Sequence, residues 1–129
     1  MGENTRIYCI VGDGECNEGS IWEGALLAAH HRLDNLCCVI DYNHSTDRAL
    51  NLGHIDQKFR SFGWKAIEID GHDHTQITQA LTAWEPQQPL AVIAHTTKGK
   101  GIRALENNPA WHHRAPTKHE LHAFLEELI

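Results

Sequence analysis

The stretch Val11-Gly12-Asp13-Gly14-Glu15-Cys16-Asn17-Glu18-Gly19 decides how this chain is read, together with Asn43, thirty positions beyond Asp13. A short apolar run, Ile7-Tyr8-Cys9-Ile10-Val11, stops at an aspartate between two glycines. A helix-like segment follows, and a second apolar run stops at Asp41-Tyr42-Asn43. If both runs are parallel strands, their carboxyl ends lie side by side and deliver Asp13 and Asn43 to one sheet edge. Open α/β sheets bind their ligands at that edge. A carboxylate and an amide oxygen there are hard donors suited to Mg²⁺, which takes few protein oxygens and completes its shell with water and phosphate. The glycines allow a sharp turn and close approach of a phosphate. Taken alone, Gly-Asp-Gly also reads as an ordinary turn.

Working outward, Arg6 to Val11 has the length and continuity of a strand buried on both faces. From about Asn17 to Arg32 the pattern is helical, with Ile21, Ala25, Ala28 and Ala29 on one face, widened by Trp22 and Leu26. Leu33-Asp34-Asn35 turns the chain into a strand over Leu36–Tyr42, completing a right-handed βαβ unit. The polar segment from His44 to His54 is a loop over the site. Ile55 to Phe62 reads as a short helix stopped by Gly63. Trp64 to Asp70 alternates as a strand. Asp73 or Thr75 caps a helix carrying Ile77, Ala80, Leu81 and Trp84, ended by Pro86 and Pro89. Leu90 to His95 is a fourth buried strand, and 102 to 116 a long loop. Thr117 and Glu120 form a capping box that opens a last helix with Leu121, Phe124, Leu125 and Leu128 inward. The order predicts an α/β fold: a mostly parallel sheet with flanking helices.

The chain has 129 residues, enough for one domain. Its net charge of −6 argues against a nucleic-acid partner. No apolar run approaches membrane-spanning length, and the polar start is no signal peptide. The four cysteines, Cys9, Cys16, Cys37 and Cys38, sit in or beside strands rather than in a disulfide framework. Reduced thiols and a cytoplasmic location follow. Adjacent Cys37 and Cys38 point to opposite faces of their strand.

Three of the four strands end in polar or glycine-rich segments: Gly12–Gly14, Asp41–Asn43 and Thr96–Gly101. Thr97-Lys98-Gly99-Lys100-Gly101 lacks the Walker spacing, and Gly12-Asp13-Gly14 is no dinucleotide fingerprint. Lys98 suits a diphosphate as a point charge, but a solvated basic turn explains the spacing equally well. His72 with His74, His30 with His31 and His112 with His113 offer no structural-zinc spacing. Cys16 lies near a helix start but has no evident base to make it a nucleophile. Glu18, a turn beyond Asp13, is either a favourable first-turn acid or a member of a proton network.

Several blocks together resemble the transketolase family. Gly12-Asp13-Gly14 followed by Asn43 is similar to the thiamine diphosphate motif. The blocks Glu18-Gly19-Ser20-Ile21-Trp22-Glu23, Phe62-Gly63-Trp64, Asp70-Gly71-His72-Asp73, His95-Thr96-Thr97-Lys98-Gly99-Lys100-Gly101 and Glu106-Asn107-Asn108-Pro109-Ala110-Trp111-His112 resemble transketolase in the same order. The likeness runs from residue 6 onward. It is greatest to the amino-terminal part of transketolases, including those split into two subunits. Deoxyxylulose phosphate synthases and 2-oxo acid dehydrogenases of the E1 type share the aspartate–asparagine pair but fit the later blocks less well.

The resemblance implies a diphosphate-binding domain of the thiamine diphosphate-binding fold, here a single partial domain over 1–129 lacking the family's N-terminal part. Asp13, Asn43 and the backbone carbonyl of Ser45 would hold Mg²⁺. Gly14, Glu15, Asn43, Lys98 and His112 would contact thiamine diphosphate, with Arg114 adding charge nearby. His112 and Glu18 take catalytic roles, Glu18 in a carboxylate network at a dimer contact. The reaction implied is transfer of a two-carbon ketol unit from a ketose to an aldose, with a sugar or sugar phosphate as substrate. A complementary pyrimidine-binding domain or subunit, in a homo- or hetero-oligomer, would be required, and the chain alone would not turn over. A non-catalytic remnant serving as an interaction subunit is the other expectation. The loop after Asn43, His44-Ser45-Thr46-Asp47-Arg48-Ala49-Leu50, is shorter than is usual in the family and lacks its glycine after the asparagine, and only the carbonyl of Ser45 is expected to matter.

Overall fold

Four parallel strands, β1 (Ile7–Gly12), β2 (Leu36–Tyr42), β3 (Lys65–Asp70) and β4 (Leu90–His95), form one sheet in the order β1-β2-β4-β3. The computed structural model describes residues 5–128. The chain divides into two compact units, Met1–Thr96 and Thr97–Ile129. The sheet belongs to the first. Two of its strands, β2 and β4, have the boundaries that their apolar runs predict, and both lie inside the sheet.

Helices α1 (Gly19–His30) and α2 (Ile55–Ser61) cover one face. There Ala25 and Ala28 of α1 and Ile55 and Phe59 of α2 pack on Val11, Cys38, Ile40, Ala66 and Ile93. The small α1 residues bring the helix close to the sheet. Trp64 crosses that layer and its indole N–H donates to the carbonyl of Ala25 at 2.8 Å. The other face gathers Cys37, Ile69, Leu90, Val92 and Ala94 against Ala80 of α3 (His74–Leu81). Cys37 and Cys38 therefore enter different layers, as strand alternation requires. Burial raises their thiols to about 11 and about 12.

Several expectations need correction. β1 is an edge strand, not a strand buried on both faces: Tyr8 and Ile10 are exposed, Ile10 to 73 %. The helix on that face, α3, lies over β3 and β4 and does not reach it. Leu26 faces solvent rather than widening the packed stripe of α1. Trp84 lies beyond the end of α3; it packs against the same cluster as α3 and also meets Tyr8 and the guanidinium of Arg6. Asp73, not Thr75, is the cap, accepting from the N–H groups of Thr75 and Gln76.

The second unit holds a turn-rich loop, a short 3₁₀ turn at Pro109–Trp111 and helix α4 (Lys118–Glu127). Thr117 and Glu120 close the predicted capping box. Only Phe124 of the four apolar positions expected to face inward is buried, packing against Trp111; Leu121, Leu125 and Leu128 are exposed, contrary to expectation. Gly99 has φ +78°, and a Cβ there would lie 2.6 Å from the carbonyl oxygen of Leu105. Only glycine lets the two loop segments approach so closely. Among the described residues no helix is long and apolar enough to cross a membrane.

Candidate functional site

β1 pairs with β2 to its last residue, Gly12 opposite Asp41 and one residue short of the end of β2, so the chain leaves both strands at the same edge. The ladder extends one step further, with Asp13 N–H donating to the carbonyl of Asp41 at 3.1 Å. That pairing fixes Asp13 beside the turn after β2. The residue is only 4 % exposed.

Asp13 Oδ1 accepts from the Gly14 N–H at 2.8 Å and from the Ser45 hydroxyl at 3.3 Å. Asp13 Oδ2 is buried and has no hydrogen-bond partner among the described residues. A buried carboxylate oxygen without a partner is costly unless a donor or cation meets it. Asn43 Oδ1 accepts from the Ser45 N–H at 3.1 Å, and Asn43 Nδ2 donates to Asp41 Oδ2 at 3.2 Å. Thr96 Oγ1 donates to the other oxygen of Asp41. Ser45 thus bridges Asp13 and Asn43 through its hydroxyl and its N–H. Its side chain contributes to the arrangement, where only its carbonyl was expected to.

A Cβ on Gly14 would fall 2.9 Å from the Thr46 methyl, so the turn and the loop after β2 pack at glycine clearance. Glu15 is exposed and its Oε2 accepts from the Gly12 N–H at 2.7 Å, folding back over the turn. Glu18 is exposed, in extended conformation (φ −81°, ψ 130°), and separates a 3₁₀ turn at Glu15–Asn17 from α1. The predicted helix start near Asn17 therefore splits in two. Cys16 is fully buried, and burial, with the nearby charges of Asp13 and Glu15, raises its thiol to about 11, the opposite of nucleophile activation.

Asp41 and Thr96 went unassigned in the sequence, although each stands at a strand end beside an expected site segment. Their roles depend on the β2–β4 pairing, which spacing does not reveal. Lys98 and His112 lie in the second unit. Lys98 is half-buried, and its carbonyl accepts from the Asn107 N–H at 2.9 Å, closing the glycine-containing loop. His112 is exposed and follows a 3₁₀ turn that Asn108 caps through Ala110 N–H at 3.1 Å. Arg114 lies 3.9 Å over the Trp111 ring and pairs with Glu120. Its charge, expected near a cofactor, is already engaged locally.

Among the described residues no group of three or more His, Cys, Asp and Glu side chains is arranged to hold a metal. The donors at the β1–β2 edge are a different set: one carboxylate and one amide. That set suits a hard cation shared with an anionic ligand.

Residues 3–128 match the family model for the transketolase thiamine diphosphate-binding domain. The chain belongs to the transketolase family. It is 41 % identical over 133 residues to one subunit of the apulose-4-phosphate transketolase of Actinobacillus succinogenes, covering 98 % of this chain and 48 % of that one. It is 37 % identical to rat transketolase over 95 % of this chain and 20 % of that enzyme. Transketolase of Campylobacter jejuni superposes with a TM-score of 0.77 at 34 % identity, over 83 % of this chain and 18 % of that one. The chain therefore spans about half the length of the Actinobacillus protein and a fifth of the rat enzyme. The transketolase resemblance and the parallel α/β fold expected from the sequence both hold.

Proposed function

We propose that the β1–β2 edge binds Mg²⁺ and the diphosphate of thiamine diphosphate within a transketolase-like assembly. That assembly moves a two-carbon ketol unit from a ketose to an aldose, with a sugar or sugar phosphate as substrate. The observation that carries the reading is the buried, unpartnered Oδ2 of Asp13. Its neighbour Asn43 Oδ1 accepts one hydrogen bond and keeps a second lone pair for a cation. Asp13, Asn43 and the Ser45 carbonyl are the protein donors in this proposal. When bound, the cofactor supplies the carbanion chemistry for breaking and remaking a carbon–carbon bond.

The chain's own residues bind and orient. Gly14 and Glu15 shape the turn against which the diphosphate rests, the glycine because a Cβ there would press on the Thr46 methyl at 2.9 Å. Lys98 and His112 are assigned to cofactor contacts, His112 also to substrate, on the family resemblance. Glu18, exposed and making no side-chain cap bond, is assigned to a carboxylate contact with another chain. Two relatives, from Actinobacillus succinogenes and Phocaeicola vulgatus, are each one subunit of an apulose-4-phosphate transketolase. They support a complementary subunit that carries the pyrimidine-binding domain. The four free thiols suit a reducing, cytoplasmic setting.

Titration calorimetry of the chain with its complementary subunit tests this. Asp13→Ala is expected to abolish Mg²⁺-dependent binding of thiamine diphosphate. Equal affinity with and without Asp13 would overturn the proposal. Absence of cofactor binding by the wild-type assembly would favour a non-catalytic interaction subunit.

A further inference from the structure

Beside the Asp13–Asn43 edge lies a ring cluster that the proposed chemistry does not use. Tyr42 and His95 are register partners on β2 and β4, with ring centroids 5.5 Å apart. The His44 ring lies 4.2 Å from that of Tyr42 and stacks near-parallel on His95, at 6.0 Å and 27°. Each imidazole has its own carboxylate: His44 Nδ1 with Asp47 Oδ2 at 2.9 Å, and His95 Nε2 with Glu68 Oε2 at 2.7 Å. Tyr42 is buried, and the three rings fasten the turn after β2 to the paired ends of β2 and β4.

The turn needs fastening. His44 has φ +62°, in the left-handed region where a side chain is disfavoured and glycine is the usual occupant. This conformer sits between Asn43, whose Oδ1 accepts from the Ser45 N–H, and Ser45, whose hydroxyl donates to Asp13. A residue held there against its preference marks surroundings that over-determine it.

We infer that the Tyr42–His44–His95 ring cluster is the clamp that holds this turn in its ligand-bearing shape, with His44 and His95 as positioning residues. The inference rests on the proposed cation and diphosphate site. His95 belongs to β4 and supplies none of the proposed donors. Changing it tests the clamp without touching them. Ring packing, not imidazole charge, does the holding, so an uncharged ring of similar size at position 95 preserves it.

The test is calorimetry of thiamine diphosphate with Mg²⁺ on the chain assembled with its complementary subunit, alongside thermal unfolding. His95→Ala is expected to weaken binding roughly tenfold while the unfolding midpoint stays within a few degrees, since His95 lies outside both core clusters. His95→Phe is expected to bind within roughly threefold of wild type, because it restores the ring. Wild-type affinity in His95→Ala would overturn the inference. So would equal weakening in both variants, which would assign the effect to the bond with Glu68. No binding by the wild-type assembly would overturn the functional reading itself, and the clamp with it.

Discussion

β1 and β4 have the same length and nearly the same character, Ile-Tyr-Cys-Ile-Val-Gly against Leu-Ala-Val-Ile-Ala-His, yet they are buried very differently. β4 lies between β2 and β3 with helices over both faces, and five of its six residues are buried. β1 pairs on one side only, and of its six residues only Val11 is buried. An apolar run reports what a strand is able to bury, while its neighbours decide what it does bury. The proposed site uses both kinds of strand. Its carboxylate comes from the turn after the edge strand β1, its amide from the turn after the central strand β2, and the Thr96 hydroxyl from the end of β4.

One chemical change made at both strands puts the contrast to its hardest test. Ile93→Ala, at a residue 1 % exposed, is expected to destabilise by about 2–5 kcal/mol through lost burial and the cavity left behind. Ile10→Ala, at a residue 73 % exposed, is expected to change stability by no more than about 0.5 kcal/mol. Urea denaturation of the two variants measures the gap. Similar costs would mean that β1 is covered in solution, for example by another chain.

Helix α4 extends the comparison, because it too leaves its leucines, Leu121 and Leu125, exposed. Its first turn is held by a capping box, so Thr117→Ala, which removes the cap accepting from the Glu120 N–H, should cost about 1 kcal/mol. Helical signal on chemical denaturation checks this.

The smallest effect is a pH dependence in the same place. Arg114 and the Thr117 N–H and hydroxyl hold the Glu120 carboxyl down at about 2, from an ordinary 4.5. A lowered carboxyl contributes stability above its ordinary value, and that contribution fades as pH falls from about 4.5 to about 2. Trp111, packed between Arg114 and Phe124, should report the loss as a fluorescence change in that window, and Glu120→Gln should remove it.

The sequence alone determined the elements whose cause is local or continuous. β2 and β4 were legible as apolar runs, the capping box as two residues three apart, and the opposed faces of Cys37 and Cys38 as strand alternation. It also marked Gly12-Asp13-Gly14 and Asn43 as strand-end residues and, through the ordered blocks, the family. Only the tertiary structure decided what depends on which strand lies beside which. It made β1 an edge and left Leu26 and three leucines at the C-terminal helix in solvent. It drew Thr96 to Asp41, and it put the Ser45 hydroxyl on Asp13 while leaving the second oxygen of that buried carboxylate without a partner. The reason is physical: periodicity records the preference of a residue for water or core, whereas an inter-strand contact joins residues tens of positions apart whose meeting no local pattern encodes.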